Sequence, residues 1–274
     1  MLIQLLRKNA ALAAGFFNSR LNRALGGYDT TVWWDKSFYT DGMSDRQTIH
    51  SSKHRLSASY HYASVEQIIC RFLFNNRVQS SPRLLGPKSS DSNPLQGCDV
   101  LDLGSGSGHW ITFYSNLGAE RVDGIDISKE SVAYLRDQYS DIADVSIYHG
   151  TIHEVLAAHQ SSYDLINAIG VMFHIVDDEE WYRSLHEISR HISPGGLLIV
   201  GGHFGLFDGL DVGLDANRRV FKRLRSKRRW QKTLRKFGFR DITVVRNHAY
   251  LHINDPLPEN SIMIAVRGED GAIS

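Results

Sequence analysis

The sequence contains little cysteine, and this scarcity argues against two kinds of architecture. Cys70 and Cys98 are the only two in 274 residues, and they form no CxxC pair. Such a pattern indicates neither a disulfide framework nor a zinc site. A cytoplasmic protein without a metal site is therefore the default expectation.

Long apolar runs and an excess of one charge are also missing. No apolar run approaches the roughly 20 residues that a membrane-spanning helix needs, so no transmembrane segment is expected. The 31 basic and 30 acidic side chains give a net charge of +1, which argues against a general polyanion binder. The length and the ordinary apolar and charged fractions, 42% and 22%, predict a globular protein with one large domain or a domain with a cap.

The most informative stretch is VLDLGSGSGHWITFYSNLGAERVDGID, residues 100–126. It indicates a buried strand, a turn with three glycines, a helix, and a second strand that ends in Asp126. Glycine permits a sharp turn and lets a ligand approach the backbone without a Cβ in the way. A carboxylate at the end of the second strand can accept hydrogen bonds from both hydroxyls of a ribose. The stretch therefore predicts a nucleoside site.

Strands and helices alternate after this unit, which predicts a parallel sheet with right-handed crossovers. Helices are expected over residues 128–139, where Ser128 is a good N-cap, and over residues 152–159, 178–192 and 230–237. Further strands are expected over residues 145–148, 163–170 and 197–201. Two more β-rich stretches, residues 241–249 and 261–266, have no helix between them and must pair antiparallel or lie apart.

Four motifs together carry a family resemblance: VLDLGSGSG, VDGIDIS, YDLINAIGVMFHI and ISPGGLLIV. Over residues 100–267 the chain resembles a class I S-adenosylmethionine-dependent methyltransferase. The resemblance implies an α/β, Rossmann-like seven-stranded sheet, mostly parallel, with an antiparallel C-terminal hairpin and helices on both faces. It also implies S-adenosylmethionine as cofactor. A nicotinamide dehydrogenase is the nearest rival, but its usual loop is GxGxxG, whereas this chain has GSGSG.

The resemblance also implies which residues bind the cofactor. Asp126 would bind the ribose, and Asn167 and Ala168 would lie beside the transferred methyl group. Many relatives have an acid after the third strand that contacts adenine, and this chain has Thr151 there instead. The implied cofactor-binding set is Asp102, Gly104, Ser105, Gly106, Gly108, Asp126, Ile127, Thr151, Ile152, Asn167 and Ala168.

The first third of the chain is expected to cover the site as an N-terminal helical cap. Residues 1–96 would form the cap and a linker, and residues 97–274 the methyltransferase domain with an insert at residues 204–228. Helices are expected over residues 1–27 and 63–75. The stretch between them has many aromatic and histidine residues but little periodicity.

A general base is needed for methyl transfer only if the acceptor arrives protonated. His174, just past the fourth strand, is the first candidate base, because ligands bind at the carboxyl edge of such sheets. Tyr60 and His61, in the aromatic stretch, are candidates for enclosing the reacting groups. Each of these side chains has the alternative of simple packing.

Residues 218–236 contain 11 lysines or arginines and no acid. A solvated helix face, an anionic small acceptor, nucleic acid and a membrane surface all fit this segment. A small-molecule acceptor, with an anionic one included, is the preferred prediction, and a nucleic acid partner is less expected. Methylation of RNA or protein, or a regulatory protein that binds the cofactor without catalysis, remain alternatives.

Overall fold

The structure, a computed structural model, describes residues 30–41, 43–44, 55–74, 93–206, 208–213, 220–246 and 260–269. The helix expected over residues 1–27 lies outside these ranges. None of the helices in the described ranges is both long and apolar enough to cross a membrane.

A seven-stranded sheet forms the centre of the molecule, with the strand order β3-β2-β1-β4-β5-β9-β8. Its first five strands are parallel, and β9 runs antiparallel to both neighbours. The predicted mixed sheet with an antiparallel C-terminal hairpin is confirmed. The strands are β1 (Asp99–Leu103), β2 (Arg121–Asp126), β3 (Val145–His149), β4 (Tyr163–Ile169), β5 (Ile192–His203), β8 (Phe239–Arg246) and β9 (Asn260–Arg267).

Helices cover both faces of the sheet and bury two apolar clusters against it. One cluster receives side chains from α2, α3 and α4, and the other receives them from α5, α6 and α7. Strands β1, β2 and β4 are almost continuously buried, as expected for parallel strands that have helices on both faces. The helices are α1 (Thr30–Asp41), α2 (Arg55–Phe74), α3 (His109–Asn116), α4 (Lys129–Gln138), α5 (Ile152–Ala158), α6 (Asp178–His191) and α7 (Lys227–Lys236).

Several element boundaries differ from the predicted ones. Helix α2 begins at Arg55 rather than at residue 63, and α1 occupies part of the stretch for which no element was predicted. Strand β5 begins at Ile192 rather than at residue 197, because Ile192 pairs with Tyr163 before a register shift. The insert contains an unpredicted antiparallel hairpin of β6 (Leu210–Gly213) and β7 (Val220–Leu224). Its basic composition conceals the strand pattern.

Candidate cofactor and acceptor site

The turn between β1 and α3 requires glycine for both its backbone angles and its space. Gly104, Gly106 and Gly108 have φ values of 71°, 52° and 85°, in the left-handed region that other residues rarely adopt. A Cβ on Gly104 would lie 2.7 Å from the side chain of Val171. A Cβ on Gly108 would lie 2.8 Å from the side chain of Leu135. The turn can therefore keep its shape only with these glycines.

Asp126 ends β2, and its carboxylate joins the glycine turn to the start of α4. Its Oδ2 accepts a hydrogen bond from the Gly106 N–H at 2.8 Å, and its Oδ1 accepts one from the Ser128 N–H at 2.8 Å. The Ser131 hydroxyl donates to the Gly106 carbonyl at 2.8 Å. Burial raises the pKa of Asp126, while these backbone donors oppose the rise. The carboxylate is thus fixed at the carboxyl edge of the sheet.

Asp102 and Asn167 form a second polar group on the neighbouring strands β1 and β4. The Asn167 amide donates to Asp102 Oδ1 at 2.7 Å, and the Tyr114 hydroxyl donates to the Asn167 oxygen at 3.0 Å. Asp102 is fully buried, and burial raises its pKa to about 7 despite the bond from Asn167. Its Oδ2 accepts no hydrogen bond within the described part of the chain. A buried carboxylate oxygen without a donor fits a ligand cation.

Three of the predicted cofactor residues, Ile127, Thr151 and Ile152, lie just past β2 and β3, and two of them already have hydrogen-bond partners. Thr151 caps α5 in a reciprocal capping box with Glu154, and its hydroxyl donates to that carboxylate at 2.7 Å. This bond lowers the pKa of Glu154. The Ile127 carbonyl lies 3.2 Å from His149 Nε2, and Ile152 is buried. The Thr151 hydroxyl therefore acts as the N-cap of α5.

Two other predicted residues are buried in the same region. The Ser105 hydroxyl donates to the Asp102 carbonyl at 3.1 Å, so it supports the turn from inside. Ala168 is fully buried in β4, next to Asn167. The structure thus gathers the predicted cofactor residues along the carboxyl ends of β1, β2, β3 and β4 and the turns that follow them.

Helix α1 lies against this edge through two adjacent residues, Trp34 and Asp35. Trp34 belongs to the aromatic stretch that was expected to cover the site, whereas Asp35 was not selected from the sequence. Asp35 Oδ1 accepts hydrogen bonds from the Ser128 hydroxyl at 2.7 Å and from the Lys129 N–H at 2.8 Å. The Trp34 ring meets the His174 ring edge-on at 5.0 Å between centroids. Helix α1 therefore contacts the start of α4, after β2, and the loop after β4.

His174 lies just past β4, as predicted, and is buried. Its backbone N–H donates to the Val171 carbonyl at 2.8 Å, and its ring centroid lies 4.5 Å from that of Phe173. The His203 ring, at the end of β5, lies 5.1 Å from the same phenylalanine ring. Two imidazoles thus flank one aromatic ring at the carboxyl ends of β4 and β5.

Tyr60 and His61 lie on α2, which contacts the domain through different residues. The Tyr60 side chain is 47% exposed. Tyr62 stacks on His109 with 3.6 Å between ring centroids, and Glu66 lies 2.7 Å from the His109 Nε2 atom. His109 follows Gly108 directly, so α2 reaches the first residue after the glycine turn. The proposed roles of Tyr60 and His61 stay a prediction.

One part of the basic segment forms a cluster of ion pairs with a single acid. Asp178 pairs with Arg223 at 2.7 Å, with Arg225 at 2.8 Å and with Arg229 at 3.4 Å. These arginines hold the pKa of Asp178 well below its usual range, against the effect of burial. Arg225 is almost completely buried and lies 4.6 Å from the Trp181 ring. This cluster joins β7 and α7 to α6.

A family model described as "Methyltransferase domain" matches residues 100–196. The ubiquinone biosynthesis O-methyltransferase of Methylocella silvestris is 31% identical over 106 residues, which are 38% of this chain and 40% of that protein. The ribosomal protein L11 methyltransferase of Geotalea uraniireducens is 26% identical over 117 residues, 43% of this chain and 35% of that protein. The matched segments thus span less than half of these relatives.

Solved structures share the fold over a longer stretch. The magnesium protoporphyrin IX methyltransferase from Synechocystis PCC 6803, solved with bound SAM, has a TM-score of 0.56 at 17% identity. The alignment covers 88% of this chain and 98% of that one.

The sheet order defines a Rossmann-like domain, and a candidate nucleoside site lies at the carboxyl edge of its sheet. Together with the family match over residues 100–196, they identify a domain of the class I S-adenosylmethionine-dependent methyltransferase kind within this chain. The predicted family and its cofactor are confirmed.

Proposed function

We propose that this chain is a cytosolic enzyme that transfers a methyl group from S-adenosylmethionine to a small-molecule acceptor by in-line displacement. The observation that carries this proposal is the position of Asp126. Its carboxylate lies between the Gly106 and Ser128 N–H groups at the end of β2, where a ribose binds in folds of this kind.

Each part of the cofactor has residues that fit it. Asp126 would accept hydrogen bonds from the ribose hydroxyls, and Asp102 Oδ2 would face the ammonium group of the methionine part. Asn167 and Ala168 would border the methyl group, and Ile127, Thr151 and Ile152 would border adenine. When bound, the cofactor supplies a methyl group on a positively charged sulfur, which becomes a neutral thioether after transfer.

Because the leaving group is neutral, the protein has little negative charge to stabilise. Its contribution is alignment of the two reactants and exclusion of water. Trp34 and Asp35 place α1 across the edge where both reactants would meet. His174, in contact with Trp34, is the proposed base for an acceptor that arrives protonated, since an imidazole can accept a proton near neutral pH. Tyr60 and His61 are the proposed second candidates for enclosing the acceptor.

A covered site supports a small acceptor, and the name of the ubiquinone biosynthesis relative gives the same indication. The ribosomal protein L11 relative keeps a protein acceptor as an alternative. The third alternative, a regulatory protein without catalysis, requires the same cofactor site and differs only in turnover.

Binding of S-adenosylhomocysteine, measured by titration calorimetry, tests the cofactor part of the proposal. We expect Asp126→Ala to weaken binding by about 100-fold, because two charge-assisted hydrogen bonds to the ribose are lost. Asp137→Ala removes an exposed acid from the far end of α4 and should bind like the wild type. Equal affinities of the two variants would contradict the assignment of Asp126.

Turnover separates an enzyme from a cofactor-binding regulator. Release of S-adenosylhomocysteine is measured with fractions of a metabolite extract, with purified RNA and with a protein extract. The proposal predicts release with a metabolite fraction, and a slower rate for His174→Gln than for His186→Gln, which alters a histidine of α6 with 39% exposure. Cofactor binding without release in any fraction would favour the regulator.

A further inference from the structure

The exposed face of α7 carries an unusual concentration of positive charge. The helix reads KRRWQKTLRK, with six lysines or arginines and no acid. Trp230 and Leu234 face the apolar cluster beneath the sheet. The opposite face exposes Arg228, Lys232, Arg235 and Lys236, and we call these four residues the α7 basic stripe.

The spacing of the stripe places like charges next to one another. Residues three, four and seven apart lie on the same side of a helix, and like charges at these spacings cost about 0.2–0.5 kcal/mol per pair. The cations of the first turn also lie at the positive end of the helix dipole. No ion pair joins the stripe to an acid within the described ranges. The sequence of α7 thus lowers the stability of its own helix.

Three arginines next to the stripe share an acid as ion-pair partner, whereas the stripe residues have no ion pair within the described ranges. Asp178 pairs with Arg223, Arg225 and Arg229. Asp208 accepts a hydrogen bond from the Ser226 N–H at the start of α7. Asp178 and Asp208 therefore contact residues at the first turn of α7, whereas the stripe continues toward the last turn of this helix. Lys236 there lies 5.2 Å from the Tyr182 ring centroid.

Other surface helices of the domain do not share this pattern. Helix α6 alternates acids and bases, and its exposed Arg183 and Arg190 pair with Glu179 and Glu187. Helix α4 also contains both signs. A solvated face needs only such mixed charges, so the single sign on α7 indicates an anionic partner.

We propose that the α7 basic stripe binds the phosphodiester backbone of RNA. A nucleic acid strand presents phosphates at regular intervals along a line, as the stripe presents cations. Insertion into a membrane surface would need an apolar face beside the charged one. The apolar side chains of α7, Trp230 and Leu234, are buried instead.

The position of the stripe favours RNA over a fully paired DNA duplex. Gly205, just past the end of β5, forms a bridge with Ser226, so α7 begins at the carboxyl edge of the sheet. A strand along the stripe would approach the site, and RNA offers unpaired bases and 2′-hydroxyl groups there. Binding to the stripe requires neither cofactor nor transfer, so this inference is separate from the proposed function.

Fluorescence anisotropy with a labelled RNA of roughly 20 nucleotides, at about 50 to 200 mM salt, tests the proposal. Four phosphate contacts predict a slope of about −3 to −4 for log affinity against log salt, which is a loss on the order of 100-fold over that range. The quadruple variant R228Q/K232Q/R235Q/K236Q should lose most of the binding. The single variant K232Q should lower the slope by about 1.

A second quadruple variant, R71Q/R183Q/R190Q/R240Q, changes the net charge equally at exposed sites outside the stripe. It should keep the wild-type slope, and circular dichroism should show that both variants are folded. Equal losses in the two variants would overturn the proposal, since a general charge effect would then explain binding. Absent binding at low salt, stronger binding to a DNA duplex, or binding only to anionic vesicles would also overturn it.

Discussion

The proposed site has a cofactor half and an acceptor half, and the two halves are held together differently. The cofactor half consists of β1, the glycine turn, β2 and the start of α4, and its key bonds join residues 20 and 25 positions apart. The acceptor half consists of α1, the ends of β4 and β5, and the β6–β7 hairpin. It is tied to α6 and to the start of α4 by bonds that join residues 47 and 93 positions apart, Arg225 with Asp178 and Asp35 with Ser128. One half is a local unit, and the other depends on tertiary contacts.

The largest expected difference between the halves is in the free energy of unfolding after substitution of Asp178. This residue forms ion pairs with three arginines at the end of the β6–β7 hairpin and the start of α7. We predict that Asp178→Asn lowers the free energy of unfolding by about 3 kcal/mol, because it leaves a buried guanidinium without its counter-ion. The Asp178 side chain is 35% exposed. Water therefore screens its ion pairs, and the expected loss of stability lies at the lower end of the range for a broken buried ion pair. Chemical denaturation of the protein without ligand measures this loss.

Glu179→Gln is the matched control for Asp178→Asn. Glu179 also lies in the first turn of α6 and pairs with Arg183, but its side chain is 73% exposed. Both substitutions lose the same interaction with the helix dipole. The control should cost less than about 1 kcal/mol. Similar losses for the two variants would show that the arginine cluster does not stabilise the acceptor half.

The same difference explains what could be predicted from the sequence. The turn at Gly104, the strand end at Asp126 and the Ser128 cap follow from short-range patterns. The Ser128 hydroxyl accepts a hydrogen bond from the Ser131 N–H at 3.3 Å, as an N-cap does. Asp35 could not be identified, because its helix, TTVWWDKSFYTD, has almost no amphipathic pattern and its partner lies 93 positions away.

The role of Tyr114 was equally hidden from sequence reasoning. Its hydroxyl reaches Asn167 only because α3 packs on the sheet together with α2 and α4. A tyrosine on the apolar side of a helix usually indicates packing alone. The basic segment was misleading for a related reason, since composition cannot tell Arg225, which is buried, from the exposed Lys232.

The cofactor half should respond to pH through Asp102. Burial raises the pKa of Asp102 to about 7, so the neutral acid predominates below that pH and the carboxylate above it. A ligand ammonium binds the carboxylate, and we therefore predict that affinity for S-adenosylhomocysteine rises about tenfold from about pH 6 to about pH 8. Calorimetry across this range measures the change.

Asp102→Asn keeps the shape of the side chain and should make the affinity weaker and nearly independent of pH. For the protein without ligand, the free energy of unfolding should change with pH in the direction opposite to the ligand affinity. Between the ordinary aspartate pKa of about 4 and about pH 7, the native state binds more protons than the unfolded state, so the free energy of unfolding falls as the pH rises. A wild-type affinity that does not change with pH would contradict the assignment of Asp102 to the ammonium group.

The smallest predicted effect concerns Asp35, which connects the two halves. Its carboxylate holds the Ser128 hydroxyl and the Lys129 N–H, and the Ser128 N–H in turn holds Asp126. We predict that Asp35→Ala speeds dissociation of S-adenosylhomocysteine about fivefold, equivalent to about 1 kcal/mol for a partly exposed charged acceptor. Asp35→Asn keeps an acceptor oxygen and should retain most of the slow rate, as should Val32→Ala on the exposed side of α1. Unchanged dissociation in Asp35→Ala would mean that the cofactor half closes without α1, and that the two halves of the site act independently.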